Sequence, residues 1–192
     1  MTRKKTQSKA NTGEVRIISG KYRNRKLTVL AHDGLRPTGN RIRETLFNWL
    51  AGEIIDAVCI DCCSGSGALA FEAASRGAAE VWAIDTHKPA INALQESKRT
   101  FGCQQTQIVE ADADTWLAGY SGKIDIAFVD PPFAKGLHNS LLTRISGHKG
   151  CHERTLIYVE AASNQALDIP QGWGWYRHKT GGDVQYGLLE HI

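Results

Sequence analysis

Two hydrophobic periods divide the chain. In the first fifty residues, short alternating runs at Val15 to Ser19 and Arg25 to Leu30 flank the turn-prone, basic stretch Gly20 to Asn24, a pattern that predicts a β-hairpin or a pair of edge strands. After a loop over His32 to Pro37, Ile42, Leu46, Phe47 and Trp49 or Leu50 recur at helical spacing, so a helix is expected to about Leu50, capped by Thr38 or Asn40. From Asp56 the character changes. Runs of buried-strand type at Ala57 to Asp61, Val81 to Asp85, Gln107 to Asp112, Ile124 to Asp130 and Thr155 to Ala161 alternate with helical patterns. Such alternation predicts parallel βαβ units and a doubly wound, mostly parallel sheet of the α/β class. Two last runs, Trp173 to Lys179 and Val184 to Glu190, flank Gly181-Gly182-Asp183 and predict an antiparallel hairpin closing one edge.

Charge alters the view of the first segment. The net charge of +3 conceals an uneven distribution: residues 1–43 hold twelve of the 23 Lys and Arg but only two of the 20 acids, so they carry +10 and the remainder −7. A basic arm on an acidic body suits a partner that carries phosphates. Arg16, Lys21, Arg23, Arg25, Arg36, Arg41 and Arg43 are the candidate phosphate contacts. Three parts follow: a disordered basic tail over 1–13, a hairpin and helix extension over 14–52, and a sheet domain over 53–192.

Composition mainly excludes. With 192 residues, 42% hydrophobic and 22% charged, the chain suits one core and neither a disordered nor a disulfide-scaffold class. No apolar run reaches the roughly 18 to 20 residues of a membrane span, and the polar amino terminus lacks the apolar centre of a secretory signal. A cytoplasmic protein without membrane contact, acting as a monomer, is expected. Cys59, Cys62, Cys63, Cys103 and Cys151 lack metal-site spacing and read as reduced thiols, with no metal.

The chemistry falls at strand ends, where open α/β sheets bind ligands. After the first strand of the sheet comes Asp61-Cys62-Cys63-Ser64-Gly65-Ser66-Gly67, in which Gly65 and Gly67 permit close backbone approach before a helix start. Asp85 closes the next strand, where a carboxylate can accept the hydroxyls of a ribose, with Thr86 after it. Asp112, followed by Ala113, ends the third, facing an adenine edge or capping the next turn. Asp130-Pro131-Pro132-Phe133 ends the fourth. Two prolines stop the ladder and fix the Asp130 carboxylate and Pro131 carbonyl as acceptors. Hydrogen bonds from an exocyclic base amine to these oxygens would restore its lone-pair character, and Phe133 offers a stacking face.

These motifs, in this order and spacing, resemble the class I S-adenosylmethionine-dependent methyltransferases that act on amino groups, a Rossmann-like fold with a seven-stranded sheet. More narrowly, Arg16-Ile17-Ile18-Ser19-Gly20 with Arg25, Arg36-Pro37-Thr38, and Arg41-Ile42-Arg43-Glu44-Thr45-Leu46-Phe47-Asn48 resemble the bacterial RsmD family from about Val15 onward. That resemblance implies methylation of a guanine N2 in 16S, small-subunit ribosomal RNA, with S-adenosylmethionine as cofactor and a small-subunit particle as partner. It places Asp61, Cys63, Ser64, Gly65, Ser66, Gly67, Asp85, Thr86, Asp112, Ala113 and Asp130 around the cofactor, and Asp130 to Phe133 at the reacting amine. The chain departs from the family pattern at Cys62-Cys63-Ser64, at Thr86-His87, and at Phe133, which stands where Tyr is commoner. A DNA adenine-N6 or cytosine-N4 methyltransferase, an NAD-linked oxidoreductase using Gly65-Ser66-Gly67-Ala68-Leu69-Ala70, and a non-catalytic RNA-binding protein on the same fold stay open from the residues alone.

Overall fold

The computed structural model describes residues 13–30 and 39–192. Residues 1–12 of the expected tail, Arg36 and the Thr38 cap lie outside the described residues. The amino-terminal hairpin forms as expected: Gly13–Arg16 (β1) and Lys26–Val29 (β2) pair antiparallel. Helix α1 spans Asn40–Trp49. The sheet then runs through Val58–Asp61 (β3), Glu80–Asp85 (β4), Thr106–Glu110 (β5), Ile126–Val129 (β6), Leu156–Ala162 (β7), Trp173–Gly181 (β8) and Val184–His191 (β9). Helices Ala68–Ser75 (α2), Lys88–Phe101 (α3), Ala113–Gly119 (α4) and His138–Ser146 (α5) follow β3, β4, β5 and β6. Strand order is β5-β4-β3-β6-β7-β9-β8, with β3 to β7 parallel and β9 antiparallel to both its neighbours. Chain order reverses between β3 and β6, which sets the switch point of the sheet there.

Alternation along the strands sends side chains to two cores. Cys59, Phe128 and Tyr158 face α1, α2 and α3, while Ile60, Ala127, Val129 and Ile157 face α4 and α5. Each buried Leu, Ile or Phe contributes on the order of 1.5 to 3 kcal/mol. The basic segment shares the first core: Ile17, Tyr22, Leu27, Leu46, Phe47 and Leu50 pack with Cys59, Phe71 and Phe128.

Polar contacts fix how the hairpin meets α2. The buried Glu72 carboxylate accepts the Ile18 amide at 2.7 Å, the Ser19 amide at 3.1 Å and Arg76 Nε at 2.7 Å. Ser75 meets the Lys21 amide with its carbonyl at 2.8 Å and the Tyr22 amide with its hydroxyl at 2.9 Å. Only glycine fits at position 20: its φ is +81°, and a Cβ there would lie 1.9 Å from the Ser75 carbonyl oxygen. The cap of α1 differs from expectation. Gly39 holds the cap position without a side-chain bond, and Asn40 is the first helical residue. The Asn40 Oδ1 instead accepts Arg43 Nη2 at 2.7 Å, because a buried guanidinium needs the acceptor more than an exposed helix end does.

Candidate active site

A cleft of about 680 Å³ opens at the carboxyl ends of β3, β6 and β7. Asp61, Cys63, Ser64, Gly65 and Ser66 form one side, Asp130, Pro131, Pro132 and Phe133 another, and Glu160 with the Gly181 to Asp183 turn closes it. The glycine loop and the Asp-Pro-Pro-Phe turn thus come together as their strand-end positions predict. Phe133 is 38% exposed, enough to offer a ring face at the cleft. Gly67 is not among the residues lining the cleft, and it serves packing. At φ +80°, a Cβ there would lie 2.5 Å from Leu94 and 2.7 Å from Phe71, so the glycine lets α2 and α3 approach closely.

The cleft floor holds a buried acid. Asp61 is 1% exposed, and among the described residues neither of its carboxylate oxygens has a hydrogen-bond partner. Burial pushes its carboxyl up to about 7, against partial relief from the nearby Ser64 hydroxyl and the Cys63 and Ala70 amides. The Ser64 hydroxyl itself donates to the Asp61 backbone carbonyl at 3.2 Å. A buried carboxylate left unbonded beside a cleft fits a cationic ligand group, since a cation would favour its ionised form. Burial pushes the Cys63 thiol, on the same side, well up, which disfavours its thiolate.

The remaining cofactor candidates are not among the residues that line this cleft; they stand at the carboxyl ends of β4 and β5, here called the rim. Asp85 accepts the Gly65 amide at 2.8 Å and the His87 amide at 2.8 Å, so it shapes the glycine loop directly. Asp112 is exposed and caps α4, accepting the Thr115 amide at 2.9 Å and its hydroxyl at 3.0 Å through one oxygen. Thr86 is exposed and Ala113 is buried in α4. Thr28 to Leu30 of the hairpin border Gly65, Ser66 and His87 at this rim.

Of the predicted phosphate contacts, Arg16, Lys21, Arg23, Arg25 and Arg41 are exposed. Arg43 is not a phosphate contact. It is fully buried, with Nη2 donating to the Arg16 carbonyl at 3.0 Å and Nη1 lying 3.7 Å from Glu72. Burial lowers its pKa and the charge of Glu72 opposes this, so Arg43 ties α1 to the hairpin and α2. Sequence reasoning missed Glu160. It lines the cleft at 5% exposure, accepting the Tyr158 hydroxyl at 2.8 Å. An acid at the end of an apolar strand run was the available signal.

A glycine loop after the first strand of a parallel sheet and an acceptor turn after the fourth, facing one cleft beside the switch point, place the protein among the class I methyltransferases. The family model described as Conserved hypothetical protein 95 matches residues 15–190. Ribosomal RNA small subunit methyltransferase D of Escherichia coli K12 is 39% identical over 187 residues, 97% of this chain and 94% of that one. The protein of the same name from Haemophilus influenzae is 38% identical, covering 98% and 100%. A solved Escherichia coli structure, 38% identical, covers 93% of this chain and 98% of its own with TM-score 0.84. One from Haemophilus influenzae, 34% identical, covers 94% and 99% with TM-score 0.80. The chain belongs to this family, the RsmD family.

Proposed function

We propose that the protein transfers a methyl group from S-adenosylmethionine to the exocyclic N2 amine of a guanine in small-subunit ribosomal RNA. The observation that carries this is the meeting of Asp130, Pro131 and Phe133 with Asp61 and Gly65 in one cleft: acceptors for an amine and a stacking ring opposite a floor suited to a cation. S-adenosylmethionine supplies, when bound, a methyl group activated on a positively charged sulfur. Gly65, Ser66 and the buried Asp61 hold its methionine end, Asp85 takes the ribose, and Asp112 with Ala113 borders the adenine. Asp130 and the Pro131 carbonyl accept both N–H groups of the target amine, which turns its lone pair toward the donor, and Phe133 stacks on the base. A methylated amine is a strong acid until it sheds a proton, so Asp130 needs no raised basicity.

Residues 14–52 bind RNA while 53–192 carry out transfer. Arg16, Lys21, Arg23, Arg25 and Arg41 meet phosphates, giving affinity that falls steeply with salt. The substrate is the RNA within a small-subunit particle, approached by one copy of the chain. Incubating the protein with labelled S-adenosylmethionine and small-subunit particles or their naked RNA, then digesting for mass spectrometry, tests the reading. N2-methylguanine at one position, with particles preferred, is the expected product. Label on adenine or cytosine, or no transfer to either substrate, refutes it.

A further inference from the structure

The cleft presents two carboxylates side by side, and only one belongs to the Asp-Pro-Pro-Phe turn. Strands β6 and β7 are parallel with Phe128 opposite Tyr158 and Val129 opposite Val159, so the next pair in register is Asp130 and Glu160. Alternation returns both to the face that Phe128 and Tyr158 occupy, at the ends of neighbouring strands that run about 4.8 Å apart, and both line the cleft. Glu160 is held from two sides. Its carboxylate accepts the Tyr158 hydroxyl at 2.8 Å, and its carbonyl accepts His138 Nε2 at 2.9 Å. Gln165 Nε2 lies 2.9 Å from His138 Nδ1, which makes Nδ1 the acceptor and Nε2 the proton-bearing nitrogen. A buried, clamped acid at a cleft wall is a fixed acceptor rather than a solvated side chain.

Base chemistry says what such a pair recognises. Beside its exocyclic amine, guanine carries a second donor, the ring N1–H. Adenine and cytosine carry a ring nitrogen lone pair at that place. An ionised carboxylate only accepts. Asp130 and Glu160 together therefore complement two adjacent donors and repel a donor next to a lone pair. We infer that Glu160 is a specificity-determining residue that accepts the N1–H of the target guanine while Asp130 takes its amine. This rests on the proposed guanine-N2 reading and extends it from the reacting atom to base selection.

The probe is 2-aminopurine, which keeps the amine at C2 but has a lone pair at N1. Two RNA fragments spanning the methylated site are compared, one with guanine and one with 2-aminopurine at the target. The wild-type protein is expected to favour guanine by about 100-fold or more in kcat/KM, because a site that bonds a substrate N–H rejects its absence strongly. In Glu160→Gln the amide can donate to N1 of 2-aminopurine, so that preference is expected to shrink by about tenfold or more. Calorimetry of S-adenosylmethionine binding to the variant should give an affinity within about threefold of wild type, which reports an intact fold. Equal use of both RNAs by the wild-type protein overturns the assignment even if the variant fails to fold. An unchanged preference in a folded variant overturns it too, leaving guanine-N2 transfer in place. Label at a position other than N2 in the guanine RNA overturns both readings, so the two failures are distinct.

Discussion

Asp130 and Asp112 each stand just past the carboxyl end of a strand, yet they face different surroundings. At the β6 end Asp130 joins a walled cleft with Phe133 and Glu160. At the β5 end Asp112 is exposed and turned onto the first turn of α4. The segments that follow them differ. Asp112 is followed by ordinary residues whose amides a cap can use, and Thr115 supplies both an amide and a hydroxyl. Asp130 is followed by Pro131 and Pro132 and then only by the short 3-10 turn Phe133–Lys135, so no α-helix starts there for its carboxylate to cap. Position at a strand end thus locates a carboxylate, and whether an α-helix starts just after it decides whether it becomes a helix cap.

The sharpest way to break this contrast is Asp130→Ala. Removing a preorganised acceptor from the reacting amine should lower methyl transfer by at least about 1,000-fold. S-adenosylmethionine affinity, measured by calorimetry, should stay within about threefold, since the floor and glycine loop are untouched. A variant that keeps a tenth of wild-type transfer would place the amine elsewhere.

That contrast also marks how far the sequence could be read. Strand and helix positions were legible because each buried strand has its own apolar run, and the strand-end rule then found Asp61, Asp85 and Asp130. Arg43 was not legible as a tie within the core. It lies in the basic amino-terminal segment, and its acidic partner Glu72 comes from a helix beyond β3 that only the fold brings near. Losing one partner of such a buried pair costs roughly 3 to 5 kcal/mol, which makes the α1 to α2 contact expensive to disrupt. Glu160 escaped notice for the opposite reason. It sits where the strand-end rule points, but without a glycine or proline motif to draw attention. Asp112 was legible in both of its roles, and the structure shows the cap.

A second, smaller effect separates the cleft floor from the rim by pH. The Asp61 carboxyl titrates near 7 because burial disfavours its charge, so in the free protein it lowers stability as pH rises from the ordinary carboxylate range through about 7. A cation bound beside it reverses the preference. Binding of S-adenosylmethionine should therefore release a proton below pH 7, and affinity should fall by up to about tenfold per pH unit below that point. Calorimetry at pH 6 and pH 8 in two buffers of different ionisation heat measures both quantities. In Asp61→Asn the pH dependence should flatten, and a wild-type affinity that is level from pH 6 to 8 would remove Asp61 from the binding site.

The smallest expected effect belongs to Asp112→Ala, and it decides what the rim contributes. Losing the cap at α4 leaves the Thr115 amide to water and should cost about 1 kcal/mol, a fall in Tm of roughly 2 to 4 °C for a chain of this size. If capping is all that Asp112 does, S-adenosylmethionine affinity stays level and transfer at saturating cofactor is unchanged. If the second carboxylate oxygen also meets the adenine amine, one charge-assisted hydrogen bond is lost, worth about 1.5 to 3 kcal/mol, and affinity drops by about tenfold or more. Asp112→Asn divides the two roles further, because asparagine caps nearly as well as aspartate through its one oxygen and keeps the Tm, while an NH2 donor replaces the second oxygen toward the base. A normal Tm with weakened cofactor binding in Asp112→Asn would make the rim carboxylate a ligand contact in its own right, so that a residue can serve its backbone through one oxygen and the adenine through the other.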